Sequence, residues 1–332
     1  MVIWLEFIAI TSLIVVCGSH LSRYGDAIAE KTGMGRTWIG VVLMASVTSL
    51  PELITGVSAV AIYKVPDIAA GDVLGSCMFN LLILAVLDIG RRKPPISSVA
   101  HQGQILTAAF GIVLLGVAGV SILEADLIPA VGWIGLSSFL LLGLYLVAMR
   151  IVFKYERKRV SEFLTAVAEE SRYDHLTKSA TYRRFAIYAV ILASAATYLP
   201  RVADEIATAT GWGRTLAGTV FVALATSLPE VVVSQAALRM GAVDLAVGNI
   251  LGSNLFNIAI LAIDDVAYMR GPLLRDVSGN HVLTAVAAMI MTSVVMVALV
   301  FRSQKKILTF SWDSLGIILT YIMTSLLLFL RR

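Results

Sequence analysis

The pentapeptide Thr-Ser-Leu-Pro-Glu occurs twice, at 48–52 and 226–230, each time inside a long, almost uncharged apolar run. A carboxylate in the middle of such a run is costly, so other groups must compensate it. Of the 332 residues, 58% are hydrophobic and only 14% are charged, whereas soluble domains carry about 25% charge. That is too little charge for a water-facing skin. Stretches of about 20 apolar residues, each long enough for one membrane crossing, recur along the chain. We place them near 3–24, 36–62, 67–88, 104–122, 126–150, 184–206, 214–239, 244–263, 280–301 and 309–330. The composition excludes a disulfide scaffold and a disordered chain. Cys17 and Cys77 both lie in apolar stretches and have no zinc-ligand spacing.

The pentapeptide is part of a longer duplication. Gly-Met-Gly-Arg-Thr at 33–37 matches Gly-Trp-Gly-Arg-Thr at 211–215, and GDVLGSCMFN at 71–80 matches GNILGSNLFN at 248–257. Matches in one order at a nearly constant offset mark an internal repeat. The halves are 1–150 and 184–332, joined by the polar stretch 151–183. Each holds five spans, an odd number, so the second half enters the membrane from the opposite side. The expected fold is an all-α polytopic membrane protein of ten transmembrane helices in two inverted five-helix repeats. Secondary transporters use this architecture and bind their cargo near the midplane. With 151–183 in the cytoplasm, that side holds 19 of the 26 basic residues and the other side 7, as the positive-inside rule requires. Both termini then lie outside. Met1 to Glu6 contains no basic residue, so the first span is read as retained.

The duplicated acids define the chemistry. Pro51 and Pro229 each remove a backbone donor directly before a glutamate. Carbonyls near 45–49 and 223–227 are therefore expected to lack ordinary helical partners. Thr48, Ser49, Thr226 and Ser227 add hydroxyl oxygens at the same level. Irregular backbone at membrane depth survives where it lines a cavity or is buried in protein. Carboxylates, hydroxyls and free carbonyls form an all-oxygen shell suited to hard cations such as calcium or sodium. Ser76 and Asn80 share a helix face, as do Ser253 and Asn257. Gly71, Gly75, Gly248 and Gly252 allow close helix contact. Helix-to-helix bonding alone is the plainer role for the Ser and Asn residues.

If both Glu52 and Glu230 are ionised, one divalent or two monovalent cations neutralise them. Without a divalent ion, sodium or protons take over, and that mutual exclusion is the root of exchange. No nucleotide-binding loop and no covalent chemistry are visible. The chain reads as a carrier driven by an ion gradient, not an enzyme, with no cofactor. Its expected partners are inorganic cations and lipid. The net charge of +4 is no argument for nucleic acid. One ten-helix chain can hold the whole site, so a monomer suffices. Asp72 is either at a mouth of the site or a solvated helix start. Asp67 and Asp244 suit helix starts, and Asp264 and Asp265 are expected outside the bilayer.

The duplicated T-S-L-P-E and G-x-x-x-G-S-x-x-F-N motifs resemble those of the sodium/calcium exchanger family, prokaryotic type, of the cation/calcium antiporter superfamily. The resemblance covers nearly the whole chain. It implies sodium/calcium exchange by alternating access in the inner (plasma) membrane, with calcium held between Glu52 and Glu230. It adds Ala45, Thr48, Ser49, Ala223, Thr226 and Ser227 as carbonyl or hydroxyl ligands, with Ser76, Asn80, Ser253 and Asn257 at the remaining polar positions. The helices at 3–24 and 184–206 resemble the family's long tilted helices, which slide past the core. There are departures. Several relatives carry aspartate where Asn257 stands, Cys77 replaces the asparagine seen at Asn254, Val47 replaces the small residue seen at Ala225, and Asp72 matches Asn249. One carboxylate fewer keeps proton-coupled exchange of calcium or another divalent cation as the alternative.

Overall fold

The structure is a computed structural model that describes residues 2–32, 46, 48–91, 94–164, 177–239, 241, 243–306 and 309–331. The main helices are α1 (Val2–Thr32), α2 (Leu50–Ser58), α3 (Pro66–Gly90), α4 (Gln104–Leu123), α5 (Leu136–Leu164) and α6 (Lys178–Thr210). They continue with α7 (Arg214–Thr226), α8 (Leu228–Arg239), α9 (Val243–Ala267), α10 (Asn280–Phe301) and α11 (Trp312–Leu330). Among the described residues, eight helices are long and apolar enough to cross a membrane, or nine if α7 and α8 count as one bent span. A shorter apolar helical stretch, Leu50–Tyr63, covers the end of the expected 36–62 span. Residues 33–45 and 47 lie outside the described residues.

Uninterrupted apolar sequence makes these helices, because backbone groups in lipid must bond within their own segment. Their burial sorts them. The motif-bearing helices α3 and α9 are buried over most of their length. α1, α5, α6 and α11 turn most of theirs outward, with Leu5, Leu140, Val190 and Leu319 among the exposed side chains. A polar pair of motifs thus runs through the middle, wrapped by lipid-facing helices.

Three expectations need correction. The span expected from 126 begins at Leu136, because Ala130–Val131 pairs antiparallel with Ile134–Gly135 around Gly132 at φ 64°. The polar stretch 151–183 is no plain loop: α5 runs on to Leu164 and α6 starts at Lys178, behind Thr177, whose side chain accepts from Ala180 N. Asp264 and Asp265 do not lie in an outer loop. Both are buried within α9.

The two halves hold each other by matching contacts. Asp67 Oδ1 accepts the Ser278 N–H at 2.6 Å, and Asp244 Oδ1 accepts the His101 N–H at 2.6 Å. Asp88 accepts the N–H of Ile96 and the hydroxyls of Ser311 and Ser314; Asp265 accepts the N–H of Leu273 and Gly135 and the hydroxyl of Ser138. Asp67 pairs with Asp244, His101 with Ser278, and Asp88 with Asp265 at the 177-residue offset of the repeat. α3 also presses on α7. A Cβ on Gly71 would lie 2.9 Å from Gly218 Cα, and one on Gly75 would lie 2.6 Å from Thr219 Cα. Glycine is what lets these backbones touch.

Asp88 also forms a buried ion pair with Lys306 at 3.1 Å. Removing one partner of such a pair leaves an uncompensated charge, at a cost of about 3–5 kcal/mol. Lys306→Met is therefore expected to lower the melting temperature in detergent, and Asp88→Asn added to it is expected to restore part of the loss.

Candidate cation-binding site

The site forms where two helices break. Pro51 stands in the first turn of α2, next to the N-cap Ser49, and Glu52 follows it in that turn. Pro229 and Glu230 occupy the first turn of α8, which bends 44° away from α7 at Ser227. A proline in the second position of a helix removes an N–H that has no intrahelical partner there. It also denies a donor to the carbonyl four residues back, here Ala225. Ala223, expected to be freed, instead accepts from Ser227 N at 3.1 Å and from the Thr226 hydroxyl at 3.3 Å. A π-helical turn, Ala217–Val222, precedes it and offsets α7. Each glutamate thus sits at the positive end of a half-helix, which favours its charged form by about 0.3–1 kcal/mol and more when partly buried.

The two breaks are cross-wired. Ser49 Oγ donates to Glu230 Oε1 at 3.1 Å, and Ser227 Oγ donates to Glu52 Oε1 at 3.0 Å. Thr48 Oγ1 lies 3.4 Å from Ser253 Oγ, and Thr226 Oγ1 lies 3.4 Å from Ser76 Oγ. Ser253 Oγ also donates to Glu230 Oε1 at 3.4 Å, and Ser227 Oγ lies 2.9 Å from Ser76 Oγ. Glu52, Glu230, Thr48, Ser49, Thr226, Ser227, Ser76, Ser253, Asn80 and Asn257 are all fully buried. Ten of the twelve expected residues therefore line one buried region. Ala223 flanks it, and Ala45 lies outside the described residues, as does Val47.

Several polar atoms in this region have no hydrogen-bond partner. They are Glu52 Oε2, Glu230 Oε2, Asn80 Oδ1 and both amide atoms of Asn257. Asn80 is oriented by Asn254: its Nδ2 donates to Asn254 Oδ1 at 3.0 Å, while Asn254 Nδ2 donates to the Cys77 carbonyl at 3.0 Å. That crossing of α3 and α9 leaves the Asn80 oxygen open. Among the described residues, no three His, Cys, Asp or Glu side chains converge closely enough to hold a metal alone. A cation here therefore needs hydroxyl, amide or carbonyl oxygens as well, the donor set of calcium and sodium rather than of zinc.

Asp72 belongs to the site and is not a solvated helix start. It is fully buried, and its Oδ1 accepts from Thr226 Oγ1 at 2.8 Å and from Ser76 Oγ at 3.5 Å. Its sequence signal is the spacing 72, 76, 80, which sets it on the helix face of Ser76 and Asn80.

A family model described as "Sodium/calcium exchanger protein" matches residues 2–154 and 183–331. The chain belongs to the sodium/calcium exchanger family. It is thereby a membrane transporter and not an enzyme. Among curated relatives of this exchanger, the inner membrane protein YrbG of Escherichia coli K12 is 27% identical over 288 residues, covering 78% of this chain and 80% of that one. The putative antiporter CaxA of Alkalimonas amylolytica is 28% identical over 267 residues, covering 78% and 79%. Among solved structures, the sodium-calcium exchanger NCX_Mj superposes with a TM-score of 0.60 at 20% identity over 97% of both chains. Native YfkE gives 0.66 at 17% identity over 98% of this chain and 92% of the other. The exchanger shares their fold.

A hydrogen bond to a charged group contributes about 1.5–3 kcal/mol. Ser227→Ala or Ser49→Ala is expected to weaken cation affinity by about 10–100-fold. The calcium concentration for half-maximal uptake, measured in proteoliposomes, checks this.

Proposed function

We propose that this chain is a secondary active antiporter that exchanges sodium for calcium by alternating access. Calcium sits between Glu52 and Glu230 with Thr48, Ser49, Thr226, Ser227, Ser76, Ser253, Asn80 and Asn257, and with the carbonyl of Ala45; the Ala223 carbonyl, already bonded twice, flanks the ion. The observation that carries the reading is the pair of buried glutamates, each with one oxygen satisfied by the other half's serine and one without a partner. Two such charges are tolerable at membrane depth only when something positive joins them. One calcium or two sodium ions do so in turn, and neither load can stay while the other binds.

The reading includes ten transmembrane helices in two inverted five-helix repeats, 1–150 and 184–332, with 151–183 on the cytoplasmic side. The protein acts as a monomer in the inner membrane, with both termini outside. The paired contacts of Asp67 with Asp244 and Asp88 with Asp265 support the repeat, and the distribution of basic residues supports the orientation. Alternating access then moves α1 and α6 across the broken helices. Gly18 of α1 lies against Pro229, where a Cβ would come within 2.9 Å of Pro229 Cβ. Its repeat-related position, Ala196 of α6, accepts only a long 3.4 Å bond from Thr55. Around them Leu21 and Leu192 pack against Leu50 and Ile54, so much of this contact is apolar.

A second reading is proton-coupled exchange of calcium or another divalent cation. Asn257 supports it, because a neutral amide there leaves the site one carboxylate fewer than the family resemblance implies. Calcium uptake into proteoliposomes distinguishes the two. An outward sodium gradient is expected to drive uptake, and Glu52→Gln or Glu230→Gln to abolish it. Uptake driven only by a proton gradient would move the protein to the second class.

Topology has its own check. Cys17 and Cys77 are buried, so an impermeant maleimide reports introduced cysteines. Lys305→Cys is expected to label from the cytoplasmic face and Met269→Cys from the outer face.

A further inference from the structure

The twofold correspondence of the site fails in one place. In one half, Asn249 Nδ2 donates to Ser234 Oγ at 3.2 Å. Asn249 corresponds to Asp72, and Ser234 corresponds to Gly56. Where the serine is replaced by glycine, a third residue fills the space: a Cβ on Gly56 would lie 2.7 Å from Asp264 Oδ1 and 2.9 Å from Asp264 Cγ. Asp264 itself corresponds to Leu87. Neutral Asn249, Ser234 and Leu87 therefore have Asp72, Gly56 and Asp264 as their counterparts. Three coordinated differences replace a closed amide–hydroxyl bond by two carboxylates, with Asp264 within electrostatic reach of Asp72.

That pair is unbalanced. Asp72 and Asp264 are fully buried. Asp72 Oδ2 and both oxygens of Asp264 have no hydrogen-bond partner. Neighbouring Asp265 is satisfied by Gly135 N, Ser138 Oγ and Leu273 N, so it has no donor to share. No ion pair among the described residues reaches Asp72 or Asp264. Even a proton shared between Asp72 and Asp264 engages two of these three open oxygens and leaves the third without a partner. A hard cation instead gathers several oxygens at once.

We propose that Asp72 and Asp264 form a second cation-binding position beside the Glu52–Glu230 pair, with Gly56 as the residue that makes room for it. Asp72 links the two positions, since its other oxygen bonds the site hydroxyls of Thr226 and Ser76. The position lies toward the end of the molecule that carries Gly135 and Leu273, the outer face in the proposed orientation. At the repeat-related position on the other side stand Asn249, Ser234 and Leu87, all neutral, so the two ends of the site differ in charge. The cation chemistry rests on the antiporter reading; the existence of the position does not.

The test is equilibrium binding of radioactive calcium to the purified full-length protein, up to millimolar concentration. The native chain is expected to bind two calcium ions. Asp264→Leu and Gly56→Ser, which install the residues of the related positions, are each expected to bind one. Asp264→Asn keeps the side-chain shape and gives the same result if charge is the cause; size exclusion confirms that each variant is folded. Glu52→Gln is expected to lose the other ion. One calcium in the native chain, or two in Asp264→Leu, overturns the inference. Two ions retained in Glu52→Gln with one in Asp264→Leu would instead overturn the central site and leave this one standing.

Discussion

Glu52 and Glu230 are buried, and among the described residues neither forms an ion pair; each has one carboxylate oxygen bonded and one left over. In a low-dielectric interior that arrangement is unstable by itself. The rest of the structure lowers its cost. Proline-induced breaks bring positive helix ends to both acids. Serine hydroxyls from the opposite half reach across, and glycines on α3 let the Ser76–Asn80 face approach α7 closely enough for those bonds to form. What remains uncompensated is the work left for a cation.

The reciprocity of the contacts gives that arrangement a mechanical consequence. If each half supplies the same groups to the other, then exchanging their roles yields a second packing of similar energy. A carrier needs two such states, because an ion that binds one far better than the other would be trapped. The long peripheral helices α1 and α6 suit this, since apolar packing of Leu21 and Leu192 on Leu50 and Ile54 makes up much of their contact with the broken helices. The core helices α3 and α9 are locked together by the Asn80–Asn254–Cys77 crossing. A hydrogen-bonded centre and an apolar periphery divide the labour between holding the ion and opening the path.

Membrane residence, the duplication and the polar residues of the site were legible in the sequence. Each depends on short-range chemistry: apolar length sets a crossing, a repeated motif sets a repeated turn, and a proline before a glutamate sets a break. The sequence misplaces Asp264 and Asp265, and leaves Asp72 between two roles, for one physical reason. All three stand near the ends of their apolar runs, where sequence alone suggests contact with water. The fold covers them with α2, α5 and α7 instead. The span expected to begin at 126 likewise yields ten residues to a hairpin, because Gly132 turns the chain where hydropathy sees no change.

Repeated membrane crossings, an internal duplication and two glutamates within its apolar runs can all be read from the order of residues. Which serine serves which glutamate, that Asp72 joins the site, and that Gly56 leaves space filled by Asp264 emerge with the folded contacts. Those facts depend on contacts between residues 150 to more than 200 positions apart. Local pattern carries hydropathy and helix-breaking, which act within a few residues. It carries no record of which distant helix fills the space beside a glycine.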